Sequence, residues 1–170
     1  MNKKSFTLIE LLVVISIIAI MSGILVINSS SSTSDVDLFS SRNGLINNLN
    51  KAKEMALSGV GATVNTNYGI GVWFPESTGS YYYIYKNNET TPAYKGYDSG
   101  DVIIEKVNLP KGIKYTRVTY LGVLFTPPQP SVAICQSATA CTGTSFQVRI
   151  HKEGSDGYRL INVNKSGLIE

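Results

Sequence analysis

Histidine occurs once in this chain of 170 residues, tryptophan once and cysteine twice. One histidine, His151, and two cysteines, Cys135 and Cys141, fall short of the four ligands of a structural zinc site and have the wrong spacing for a finger. No glycine-rich phosphate loop follows a strand, and no serine or cysteine nucleophile stands in a recognisable pattern around His151. His151, beside Lys152, therefore reads as a surface residue of a strand, and no metal or cofactor is implied. Charge is also sparse, with 15 basic against 12 acidic residues and a formal net charge of +3, so overall basicity gives no argument for nucleic acid. No internal repeat of solenoid or propeller length is present. These absences argue against an enzyme and against a repeat scaffold.

What the chain does have is one long apolar run, Phe6 to Ile27, preceded by Lys3 and Lys4. At a rise of ~1.5 Å per residue such a helix is about 33 Å long, enough for the hydrocarbon core of a bilayer. The lysines place its start on the cytoplasmic side. Glu10 interrupts the run, and a carboxylate at the centre of a span costs on the order of 2.5 to 3.5 kcal/mol on insertion scales. It therefore calls for a partner or a role. A secretory signal has an apolar core of only about 7 to 15 residues and a small-residue cleavage site. A plain anchor explains the length and leaves Glu10 unexplained.

After the run, Asn28 to Ser34 is rich in Asn, Ser and Thr, which compete with helix through local side-chain bonds; 28–34 is expected to be a flexible helix segment. From 35 to 58 the pattern is amphipathic. Leu38, Leu45, Leu49, Ala52 and Ala56 form one stripe, with Arg42, Asn47, Lys51 and Glu54 off it. Ser34 or Asp35 is the N-cap if the helix restarts there, and Gly59 is placed to end it.

Residues 59–170 read as short strands separated by turns. Candidates are Tyr68 to Phe74, Ser80 to Lys86, Asp101 to Val107, Ile113 to Tyr120, Gly122 to Thr126, Ser131 to Cys135, Ser145 to Lys152 and Tyr158 to Val163. Pro75 to Gly79 reads as a hairpin connection and Asn87 to Gly100 as a polar surface loop. The expected fold is α+β: a long N-terminal helical spine packed on an antiparallel sheet or sandwich.

Phe6-Thr7-Leu8-Ile9-Glu10 resembles the prepilin signal of the type IV pilin and type II secretion pseudopilin superfamily at every position. The resemblance implies a leader of residues 1–5, a cut by prepilin peptidase between Ser5 and Phe6, and N-methylation of Phe6. The family usually has Gly before the cut, where this chain has Ser5. It also gives Glu10 an assembly role, pairing with the freed amine of Phe6 on a neighbouring subunit inside an apolar filament core. Residues 6–27 become the transmembrane and assembly helix of a single-pass protein of the inner, cytoplasmic membrane. The β-rich domain then lies outside the cytoplasm, and the chain later enters a pilus or pseudopilus filament. Implied partners are the peptidase/methyltransferase, other pilin or pseudopilin subunits, the inner-membrane assembly platform and, before assembly, membrane lipid.

The order of β elements, a Leu-Pro-x-Gly turn at 109–112, Phe125-Thr126-Pro127 and a C-terminal hairpin ending near Asn164-Lys165-Ser166-Gly167, further resembles the minor GspH/FimT type. This points to a minor or initiating subunit. In the topology so implied Cys135 and Cys141 face the oxidising side of the membrane, where a disulfide is expected. The alternative function is a DNA-binding minor pilin of a competence pilus. Tyr81, Tyr82, Tyr83 and Tyr85 with Lys86, or Lys106, Lys111, Lys114 and Arg117, would be its surface. The C-terminal stretch from Lys165 carries one lysine and ends in Glu170, which counts against DNA as a partner.

Overall fold

The computed structural model describes residues 7–59, 69–88, 96–127, 131–137 and 140–170, and within the first helix the side chains of 24–34 are left out. The chain divides into two units, Met1–Val36 and Asp37–Glu170. The first helix, α1 (Leu8–Leu57), contributes residues to both.

In the first unit the apolar residues of α1 cover nothing. Leu8 is 83% exposed and Ile20 66%, and the apolar side chains between them are exposed as well. Within this stretch Ser16 Oγ donates to Leu12 O at 2.8 Å, so that hydroxyl is satisfied by the helix's own backbone. Among the described residues no helix is long and apolar enough to cross a membrane. The described side chains of the run extend from Leu8 to Gly23, about 24 Å at ~1.5 Å per residue against the ~30 Å of a hydrocarbon core. Phe6 and residues 24–27 of the expected span lie outside the described side chains, as do those of the expected flexible segment 28–34.

In the second unit the expected stripe is the buried face of α1. Leu38, Leu45, Leu49, Ala52 and Ala56 are all buried, joined by Ser41, whose hydroxyl donates to Asp37 O at 2.7 Å. The helix ends at Leu57, and Gly59 follows at φ 67, the left-handed conformation that a helix C-terminus favours for glycine.

Among the described residues nine strands follow: β1 (Ile70–Trp73), β2 (Thr78–Gly79), β3 (Tyr81–Lys86), β4 (Val102–Asn108), β5 (Ile113–Arg117), β6 (Gly122–Thr126), β7 (Ser131–Cys135), β8 (Ser145–Lys152) and β9 (Tyr158–Asn164). They form two antiparallel sheets, one ordered β4-β3-β1-β6-β7 and the other β2-β5-β8-β9. Alternation sets the faces: Phe146, Val148 and Ile150 of β8 point inward with Ile161 and Val163 of β9, and the residues between them point out. One core cluster combines the helix stripe with the inward residues of both sheets. Phe74 lies at its centre, its ring 5.3 Å from Tyr82, 4.9 Å from Tyr115 and 5.2 Å from Phe146.

Polar contacts fix the helix on the sheets. Asn48 Nδ2 donates to Tyr82 Oη at 2.7 Å, Arg42 Nε to Leu160 O at 3.3 Å and Lys53 Nζ to Gly167 O at 2.9 Å. Lys51 and Glu105 form an exposed ion pair at 2.7 Å.

Three details differ from expectation. The segment 75–79 is more than a hairpin connection, because Thr78 and Gly79 pair with Thr116 and Tyr115 in the other sheet. Strand β5 stops at Arg117, short of Tyr120, because the Thr119 hydroxyl takes the Gln147 N–H at 3.1 Å in place of a ladder carbonyl. The loop 87–100 is not wholly a surface feature: Asn87 and Gly96 are buried, and Tyr97 packs its ring on Trp73, Tyr83 and Tyr85. Packing on three aromatic rings takes the Tyr97 end of the loop out of solvent.

Candidate functional site

The sequence directs attention to the N-terminal segment. Ser5 and Phe6, the expected cleavage and methylation positions, lie outside the described residues. Thr7 and Glu10 are described, and they form a reciprocal cap on α1. Thr7 N donates to Glu10 Oε2 at 2.9 Å and Thr7 Oγ1 donates to the same oxygen at 2.8 Å, while Glu10 N approaches Thr7 Oγ1 at 3.4 Å. This is a capping box, Thr at the N-cap and Glu three residues on, which satisfies helix N–H groups that otherwise lack partners. The carboxylate also sits where the helix dipole favours negative charge.

Sequence reading singled out Glu10 and missed Thr7, although the signal was present as Thr7-Leu8-Ile9-Glu10. The geometry divides the carboxylate. Oε2 takes both bonds from Thr7, and among the described residues Oε1 takes none. A capped acid with one oxygen free, on a helix whose other side chains here are exposed and apolar, is able to accept a cation from outside the chain without giving up its cap.

Cys135 and Cys141 are bonded to each other across a sequence separation of 6. Gln136 N donates to Ala140 O at 2.9 Å inside that loop, and Cys135, at the end of β7, is fully buried.

The residues considered for a nucleic-acid surface are not gathered into one. Tyr82 and Tyr85 are buried in the interior, so neither presents a ring to a base. Burial pushes the Tyr82 phenol up to about 12 and that of Tyr85 well above the usual phenol range. Tyr81 and Tyr83 meet edge to face at 5.5 Å, and Lys106 lies over Tyr81 at 4.0 Å. Lys114 and Arg117 belong to the other sheet, where Lys114 pairs with Glu153 at 2.8 Å. His151 stands on the outer face of β8 and lines a shallow groove. Among the described residues no cluster of His, Cys, Asp and Glu is placed to hold a metal ion.

Residues 1–26 match the family model of the prokaryotic N-terminal methylation motif. No curated protein and no solved structure matches the chain.

Proposed function

We propose that the chain is a type IV pilin-like or pseudopilin subunit, a minor or initiating one of the GspH/FimT type. It is cut between Ser5 and Phe6, methylated on Phe6 and built into a helical filament through α1. The observation that carries this reading is the methylation motif over residues 1–26 on a helix that leaves its apolar side chains from Leu8 to Met21 uncovered. Before assembly, lipid covers those side chains in a single-pass orientation with the β domain outside the cytoplasm; in the filament, the helices of neighbours replace it. Peptidase, assembly platform and sister subunits are the partners. Competence-type DNA binding draws no support from the burial of Tyr82 and Tyr85 or from the separation of Lys106 from Lys114.

Glu10 performs two tasks in this account. Oε2 caps its own helix through Thr7, and Oε1 accepts the Phe6 amine of a neighbour. An amine taken into an apolar filament core without a counter-charge is strongly unfavourable, so the acid acts as a register mark during assembly.

The test separates the two tasks. Glu10→Gln keeps the cap, since Gln also serves at the third position of a capping box, and removes the charge; Thr7→Val removes the cap and keeps the charge. The readout is the fraction of cleaved subunit, identified by mass as beginning at methylated Phe6, in sheared filaments or cross-linked pseudopilus assemblies. Glu10→Gln and Glu10→Leu are expected to insert and be cleaved normally and to fall at least tenfold in incorporation, while Thr7→Val stays within about twofold of wild type. Normal incorporation of Glu10→Gln would remove the pairing role, and a mature terminus anywhere other than Phe6 would remove the reading itself.

A further inference from the structure

The outer face of the four-stranded sheet carries a groove of about 250 Å³ lined by Thr116, Arg149, His151, Ser155, Asp156 and Tyr158. Three strands and one turn build it. Arg149 and His151 are alternate residues of β8 and so share its outer face. Register sets Thr116 of β5 opposite Arg149, and Tyr158 of β9 opposite His151. The turn between β8 and β9, with Gly154 at φ 78, brings Ser155 and Asp156 to the open end.

Arg149 is held and yet unpaired. Its guanidinium lies over the Tyr158 ring, 4.9 Å from the centroid, and among the described residues no carboxylate is within ion-pair distance of it. Stacking on an aromatic face orients the plane of the guanidinium and leaves the N–H groups at its edge available, which is the arrangement that recognises a planar oxyanion through two parallel bonds. The neighbouring cation, Lys114, opposes His151 on its other side and is already engaged by Glu153 at 2.8 Å. The free positive charge of the groove is thus concentrated at Arg149.

The remaining groups select among anions. Ser155 Oγ accepts from Gly157 N at 3.2 Å, which leaves its own O–H to donate. Asp156 is an acceptor beside Ser155 in the lining. An acceptor and a donor side by side near a single free guanidinium suit a ring that bears one carboxylate and several hydroxyl groups. The volume fits about one sugar ring, below the ~300 Å³ at which drug-sized sites begin. We propose that this groove binds a carboxylate-bearing sugar, a uronate residue of an acidic polysaccharide, with its carboxylate on Arg149 and its hydroxyls on Asp156, Ser155 and the His151 imidazole. The site is independent of Glu10 and of filament assembly.

The test uses the full-length protein in detergent micelles, titrated calorimetrically with a galacturonate hexamer, with the methyl-esterified hexamer and with a single-stranded DNA decamer. The uronate is expected to bind, and the neutral ester to bind at least tenfold more weakly. Arg149→Gln and Arg149→Lys are each expected to lower uronate affinity at least tenfold, the lysine because it keeps the charge without the planar fork. Lys106→Gln, on the other sheet, should stay within twofold. Near-ultraviolet circular dichroism checks that these exposed-site variants remain folded. Equal binding of acid and ester, no uronate binding at millimolar concentration, or an unchanged affinity in folded Arg149→Gln would overturn the proposal. Tighter, Arg149-dependent binding of the DNA decamer would overturn it in favour of a phosphodiester site.

Discussion

Phe74→Leu probes the joint between the two sheets. Phe74 is fully buried directly after β1 of one sheet, and its ring meets Tyr82 of that sheet and Tyr115 and Phe146 of the other at 5.3, 4.9 and 5.2 Å. Leucine retains most of the apolar area and loses all three ring pairs. Such pairs contribute about 0.5–1.5 kcal/mol each beyond burial, and because they share one ring they do not add fully. The expected loss is about 2–3 kcal/mol, below the ~3–5 kcal/mol of truncating a core Phe to Ala. Against a typical total of about 5–15 kcal/mol, the variant still folds. The assay is urea unfolding of the full-length protein in a mild detergent, followed by the fluorescence of Trp73, which is the sole tryptophan and adjoins the site. Phe39→Leu, on an exposed position of α1, is the control and should change stability by about 0.5 kcal/mol or less. A cycle with Tyr115→Leu should give a coupling of at least about 0.5 kcal/mol. A Phe74→Leu loss no larger than that of the control, or a cycle without coupling, would refute the idea that the rings join the sheets.

Two further outcomes follow from buried groups. Burial pushes the phenols of Tyr82 and Tyr115 from the ordinary 10 up to about 12; the folded pKa is raised, so their contribution is complete below pH 10 and is lost as pH rises through about 12. The urea midpoint should therefore drop across that window, less steeply with both changed to Phe, and parallel curves would remove these tyrosines as the cause. Replacing Cys135 and Cys141 together by Ala opens a loop of about seven residues and should lower stability by about 2 kcal/mol in the chain-entropy picture; an unchanged urea midpoint would contradict that.

The helix stripe was legible because Leu38, Leu45, Leu49, Ala52 and Ala56 obey a period that local geometry imposes whatever they pack against. Most strands were legible for the same reason, through alternation bounded by Pro and Gly turns. Strand β2 was not, since two residues carry no period and Thr78 and Gly79 become a strand only because Thr116 and Tyr115 lie beside them. The capping box was written plainly in Thr7 and Glu10 and was obscured by the apolar run around it. The groove was legible only in part. That Arg149 and His151 share a face follows from β8 itself, but the approach of Tyr158 and Thr116 is set by the register of three strands, and no local pattern encodes register between distant segments.

The core cluster has a consequence for the timing of folding. It unites Leu38, Leu45 and Leu49 near the beginning of the second unit with Ile161 and Val163 of the last strand, and β9 is the strand that completes the four-stranded sheet. A chain made from its N-terminus presents the helix stripe more than a hundred residues before the strand that closes over it. Contacts of such long sequence separation form slowly. The stripe therefore stays uncovered through most of the chain's synthesis, and Leu45 and Leu49 have to be kept from other partners until β9 arrives.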